Sequence, residues 1–196
     1  MKLQELRFGI EIETVKRERG TVANAIQSVV GGQVVHVGGS SYDTWEVRDE
    51  QGRTWKVMAD SSLSNVPANL RAEVVSPVLS YDDIPTLQDL VRAVRRCGAT
   101  VDAKCGMHIH VDSSAFNGKT LANLAKIVHK QEPLILTALG VSEARLRHYT
   151  KPVSSEFIAK LERSRPRTLE QVNRLWYGFR NHNPTHYDQS RYYVAA

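Results

Sequence analysis

Two short segments, almost a hundred residues apart, carry the same alternation. In Leu6–Thr14, Phe8, Ile10 and Ile12 alternate with Gly9, Glu11 and Glu13; in Met107–Asp112, Met107, Ile109 and Val111 alternate with His108, His110 and Asp112. Successive side chains of a strand point to opposite faces, so each segment reads as a strand with one apolar and one ionisable face. A sheet that uses both must offer a core on one side and acids and imidazoles on the other. On one strand Glu11 and Glu13 place their β-carbons about 6.5 to 7 Å apart, from a rise of ~3.3 Å per residue. Two carboxylates that close repel unless a cation or a shared proton relieves them. His108 and His110 repeat the spacing with neutral nitrogen donors, a common metal-ligand type. Two other readings stay open: an acidic face turned to water and a hydrogen-bonded surface histidine pair.

The rest of the chain supplies partners for these strands. Val22, Ala25, Ile26 and Val29 give Thr21–Val30 a helical stripe, stopped by Gly31-Gly32, and Gln33–Val37 follows as a short strand. Trp45–Val47 and Trp55–Val57 flank the turn-forming Asp49-Glu50-Gln51-Gly52, a hairpin pattern. Ala72–Ser76 reads as a strand closed by Pro77. Leu87, Leu90, Val91 and Val94 stripe a helix over Pro85–Cys97. Beyond Asp112 the pattern is helical: Thr120–Lys130, a break at Pro133, Leu134–Leu139, and then Ser142–Tyr149, Ser154–Glu162 and Thr168–Trp176, each opened by a hydroxyl residue closely followed by Glu. A last strand is expected at Ser190–Val194. Strands without regular βαβ alternation predict an α+β fold with a mainly antiparallel sheet and helices packed on one side. The 196 residues suit a single domain, strand-rich over 1–112, helical over 118–180 and ending in a strand segment at 186–194.

Composition excludes several classes. With 41% hydrophobic and 24% charged residues the chain has ordinary globular usage. It has neither a membrane-length apolar run nor a signal-peptide core at Met1–Phe8, so a soluble cytoplasmic protein is expected, with no membrane partner. Cys97 and Cys105 fit neither a redox pair nor a zinc finger. The formal charge is +5, and ten basic residues against five acids from Glu143 onward account for it. A basic final quarter points to something phosphorylated, or to a solvated helical face. No nucleic-acid signature accompanies it, and nucleic acid is not expected as a partner.

Four motifs in order, Arg7-Phe8-Gly9-Ile10-Glu11-Ile12-Glu13, Trp55 with Asp60-Ser61-Ser62-Leu63, Glu73-Val74-Val75-Ser76-Pro77 and Cys105-Gly106-Met107-His108-Ile109-His110-Val111-Asp112, resemble those of the amidoligase family. That family belongs to the carboxylate–amine ligase superfamily, which shares its fold with glutamine synthetase and glutamate–cysteine ligase. His186-Tyr187-Asp188-Gln189-Ser190-Arg191-Tyr192-Tyr193 is similar to the family's Arg-Tyr segment. The resemblance implies a glutamine synthetase-like catalytic fold and ATP-dependent amide formation through an acyl phosphate. It implies that Glu11, Glu13, Glu73 and His108 hold Mg²⁺ or Mn²⁺, that His110 contacts the nucleotide phosphates and that Asp60 lies near the acceptor amine. Arg191 would face the transferred phosphoryl group, as both a catalytic and a nucleotide-binding residue.

The residue types suit that chemistry, because phosphoryl transfer needs charge neutralised on the phosphate oxygens and a carboxylate can deprotonate an incoming ammonium. The implied partners are a carboxylate and an amine drawn from amino acids, peptides or cell-wall material; a homo-oligomer is compatible. After Tyr193 come only Val194-Ala195-Ala196, whereas the family continues into a strand bearing Glu-Phe-Arg, so the expectation is a chain lacking the family's last strand. Two other readings stand beside the ligase. One is a weakly catalytic metal- and nucleotide-binding relative or basic binding module; the other is a metal-dependent hydrolase built on His108 and His110.

Overall fold

A computed structural model describes residues 2–178, which fall into two compact units, Met1–Asp112 and the chain from Ser113 on. The Arg191 site and the Ser190–Val194 strand expected from sequence lie outside the described residues. The protein is α+β: among the described residues it has one six-stranded, wholly antiparallel sheet and six α-helices.

The first unit contains all of the strands, β1 (Phe8–Val15), β2 (Gln33–His36), β3 (Trp45–Arg48), β4 (Thr54–Met58), β5 (Arg71–Val75) and β6 (Met107–Val111), together with helices α1 (Arg19–Val30) and α2 (Ile84–Arg96). Their spatial order is β2-β3-β4-β5-β1-β6. The hairpin between β3 and β4 turns where Asp49-Gly52 predicted it. The Asp49 carboxylate accepts the backbone N–H groups of Gln51 and Arg53 at 3.0 and 2.8 Å and the Trp55 indole N–H at 3.2 Å. Hydrogen bonds from Arg53 and Trp55 hold the Asp49 carboxyl below the usual carboxylate range despite its burial.

Helices α1 and α2 pack on the apolar sheet face, where Val22, Ile26, Leu90 and Val94 meet Val47, Trp55, Val57 and Val74. The apolar side of β6 departs from expectation: Met107, Ile109 and Val111 are exposed, because β6 is an edge strand beyond β1. Its ionisable side, by contrast, is shared with β1.

The second unit contains α3 (Gly118–Ala138), α4 (Glu143–His148), α5 (Ser155–Ser164) and α6 (Leu169–Tyr177). Ala122, Val153, Phe157, Leu161 and Val172 form its core, with the Phe157 and Trp176 rings edge to face at 4.6 Å. The hydroxyl residues start helices as predicted: Ser154 accepts the Glu156 N–H, and Thr168 forms a reciprocal capping box with Gln171. The break predicted at Pro133 is not there, since α3 runs through it. An interior proline costs roughly 3 kcal/mol, but packing on both sides opposes a break. Ala122 and Leu136 are buried, and the buried Glu132 carboxylate accepts the Val153 N–H with both oxygens, at 2.9 and 3.0 Å.

Candidate metal and phosphate site

β1 is the spine of the site because it pairs on both edges. Its register with β5 sets Glu13 opposite Glu73, and its register with β6 sets Glu11 opposite His108. Cross-strand partners share a face, so a local pattern of acids on one strand becomes a cluster drawn from three strands. No single segment contains that cluster.

Two groups of potential ligands result, each with donor atoms within 4.8 Å of one another: Glu11, His108 and His110, and Glu13, Asp60 and Glu73. In the first, His108 Nδ1 lies 2.8 Å from Glu11 Oε2, and His110 Nε2 lies 3.2 Å from Glu11 Oε1. One carboxylate thus spans two imidazoles whose rings stand nearly perpendicular. Both histidine side chains are more than half exposed, so the group opens to solvent. The second group is deeper. Glu13 is buried, and its Oε2 accepts the Gly106 N–H at 2.6 Å.

Burial, offset by that Gly106 hydrogen bond and reinforced by Asp60, raises the Glu13 carboxyl above its ordinary range. Glu73 is pushed up to about 7, first by burial and then by the charges of Glu11, Asp60 and Glu13, with His108 acting in the other direction. Because Glu11 and His108 act on Glu73, the two groups form one electrostatic neighbourhood. Three acids this close, one of them buried, are strained as anions and relieved by a proton or a cation. An all-oxygen set suits a hard divalent ion, and the mixed nitrogen–oxygen set also accepts Mn²⁺ or Zn²⁺. The donor chemistry therefore fits the expected metals.

The four residues expected to converge, Glu11, Glu13, Glu73 and His108, do share one region, but they divide between two groups. His110, expected on phosphate, sits with Glu11; Asp60, expected at the amine, sits with Glu13 and Glu73. The signal for Asp60 is positional, since β4 ends at Met58, whose register partner is Glu73, and Asp60 follows two residues later. Its carboxylate also accepts the Ser62 N–H and hydroxyl, both at 2.7 Å. The Gly106 contact to Glu13 has no signal in the residue types. Asp112, in phase with His108 and His110 by sequence, lies past the end of β6 and pairs with Arg7, its Oδ2 accepting from Nε at 2.9 Å and from the terminal nitrogen at 2.6 Å. Cys105 takes no part in either group; its thiol is pushed up to about 11, chiefly by burial.

Comparison with known proteins gives the family of the chain. The family described as "Putative amidoligase enzyme" matches residues 4–195, nearly the whole chain, and the chain belongs to it. No curated protein and no solved structure matches the chain.

Proposed function

We propose that this amidoligase-family protein is an ATP-dependent carboxylate–amine ligase that works on the ionisable face of a glutamine synthetase-like sheet. The observation that carries this reading is the pair of adjacent ligand groups astride β1. Phosphoryl transfer from ATP to a carboxylate needs positive charge at two places along the phosphate chain. Two ligand groups side by side match that demand.

In this reading Glu13 and Glu73 hold one Mg²⁺ or Mn²⁺, with Asp60 beside them at the edge of the group, and Glu11 with His108 holds the other. When bound, the ions supply electrostatic stabilisation of the phosphate oxygens. His110, whose side chain is largely exposed, contributes either to the second ion or to a phosphate oxygen directly. Glu13 is fixed by the Gly106 N–H, so the deepest carboxylate is oriented before any ligand arrives. Phosphorylating the substrate carboxylate creates a good leaving group; an amine then attacks the acyl carbon, inorganic phosphate leaves and an amide remains. The attacking amine must lose protons, and Asp60, at the edge of the acidic group, is assigned to hold the ammonium and accept one. Arg191 is assigned to the transferred phosphoryl group, and the substrates to amino acids, peptides or cell-wall material.

The test measures ADP release with ATP, Mg²⁺ and panels of carboxylates and amines, alongside calorimetry of ATP with and without Mg²⁺. Turnover that requires both a carboxylate and an amine and is lost in Glu13→Gln supports the ligase. A second reading rests on Glu11, His108 and His110, since two histidines and a carboxylate also make a hydrolytic zinc set. Tight Zn²⁺ binding with no effect of nucleotide would favour it.

A further inference from the structure

The helical unit contains a cavity of about 890 Å³ between the first turns of α3, the end of α5 and the turn that leads to α6. Lys119, Lys126, Arg165 and Arg167 line it, against a single acid, Glu162. Three other cations of this unit are matched along their own helices: Arg147 pairs with Glu143, Lys160 with Glu156 and Arg174 with Glu170. The four cavity cations have no such partner among the described residues.

The backbone holds them close together. Lys119 and Lys126, seven residues apart, lie two turns along one side of α3. Arg165 ends α5 in the left-handed region, at φ 45°, which turns the chain back toward α3. The Arg167 carbonyl then accepts the Gly118 N–H at 3.1 Å. A β-carbon at Gly118 would come within 2.3 Å of the Thr168 carbonyl oxygen, so only glycine allows this approach. Beneath the cations, Ala122, Leu161 and Pro166 are buried and form an apolar floor.

We infer that this cavity is a binding site for an organic phosphate, with the cations taking at least two phosphoryl groups and the organic part lying on the apolar floor. Guanidinium forks and ammonium groups match phosphate oxygens, and the volume falls in the range of small-molecule pockets. No aromatic side chain lines it, which argues against a nucleic-acid surface, where bases stack on such rings. The inference does not depend on the ligase reading. It uses none of the sheet residues and requires no divalent ion.

The test is calorimetry on the full chain in EDTA, which removes metal-dependent binding at the sheet, with ADP and inorganic pyrophosphate as probes of equal phosphate count. ADP should bind and bind severalfold more tightly than pyrophosphate, because only ADP has an organic part for the floor. Arg165→Asn with Arg167→Gln, both at exposed positions and the first a residue that tolerates the left-handed region, should weaken ADP on the order of 10²-fold with an unchanged helical circular dichroism signal. Lys126→Gln, on a separate element, should weaken it on the order of tenfold. No binding of ADP in EDTA, equal affinity for pyrophosphate, or affinity unaltered by these substitutions would overturn the inference. Tighter binding of a single-stranded oligonucleotide than of ADP would overturn it in favour of a nucleic-acid surface.

Discussion

The sheet unit and the helical unit concentrate charge by opposite means. In the sheet unit, acids and imidazoles from β1, β5, β6 and the Asp60 loop meet because strand register leaves them no alternative. The cluster is costly, as the raised carboxyls of Glu13 and Glu73 record. In the helical unit, cations on α3 and in the turn after α5 gather around a glycine-dependent approach of two backbones, with Lys119, Arg165 and Arg167 exposed and Lys126 half-buried. A buried acidic group that is strained as an anion is built for a cation. A solvated basic rim can wait for an anion at little cost.

The contrast can be broken most forcefully at the two cores. Trp55→Ala in the sheet unit and Phe157→Ala in the helical unit should each cost about 3 to 5 kcal/mol, since Trp55 is fully buried and Phe157 nearly so. Chemical denaturation followed by tryptophan fluorescence and by circular dichroism measures both. If the units unfold independently, each substitution shifts only one of two transitions; if they unfold together, both lower a single one.

Next in size is the acidic cluster itself. Glu13→Gln keeps the shape but removes the charge, and it should lower Mg²⁺-dependent ADP release on the order of 10² to 10³-fold. Lys160→Gln, at an exposed helix pair, should leave that rate unchanged. Equal loss in both variants would show that the sheet carboxylates have no special part in the reaction.

A third difference is in pH. A carboxyl raised on folding binds its proton more tightly in the folded state, so the metal-free protein loses stability as pH rises from the unfolded value near 4.5 to the Glu73 value of about 7. Each tenfold gain in proton affinity is worth ~1.4 kcal/mol, which sets an upper bound of about 3.5 kcal/mol on the loss from Glu73, and solvent screening at this half-buried group brings it lower. Asp43, Asp49, Asp83 and Asp102 behave in the opposite way: their carboxyls are lowered, so the stability they add is present above pH ~4 and is lost as pH falls below it. Denaturation midpoints between pH 4.5 and 7.5 should therefore fall in metal-free buffer, fall less in Glu73→Gln, where only the raised Glu13 remains, and recover with Mg²⁺ at the upper end. A flat profile in the unsubstituted protein would remove the argument that the acids are strained.

The smallest effect is expected on the helical surface. Breaking the Arg147–Glu143 pair with Arg147→Ala should change stability by no more than about 0.5 kcal/mol, because exposed pairs are screened. A larger loss would mean that the helical unit depends on its charges more than its exposed helix pairs suggest.

Local structure was written in the residues. Period-two alternation marked β1 and β6, Asp49-Gly52 marked the hairpin turn, and Ser154 and Thr168 marked helix starts, because each depends on neighbours within a few positions. The ligand types were legible as well, since Glu11, Glu13, His108 and His110 sit on the ionisable faces of their strands. Only the tertiary structure decided which of them meet. Setting Glu73 against Glu13 on one edge of β1 and His108 against Glu11 on the other requires pairing across some sixty to a hundred residues, and for β5 the choice among registers is made by the packing of the opposite face, where Ala72 and Val74 are buried. The same nonlocal packing carried α3 through Pro133, exposed the apolar side of β6 and drew Asp60 into the acidic group. A residue's own sequence neighbourhood states which way its side chain points; what stands opposite is set by the whole sheet.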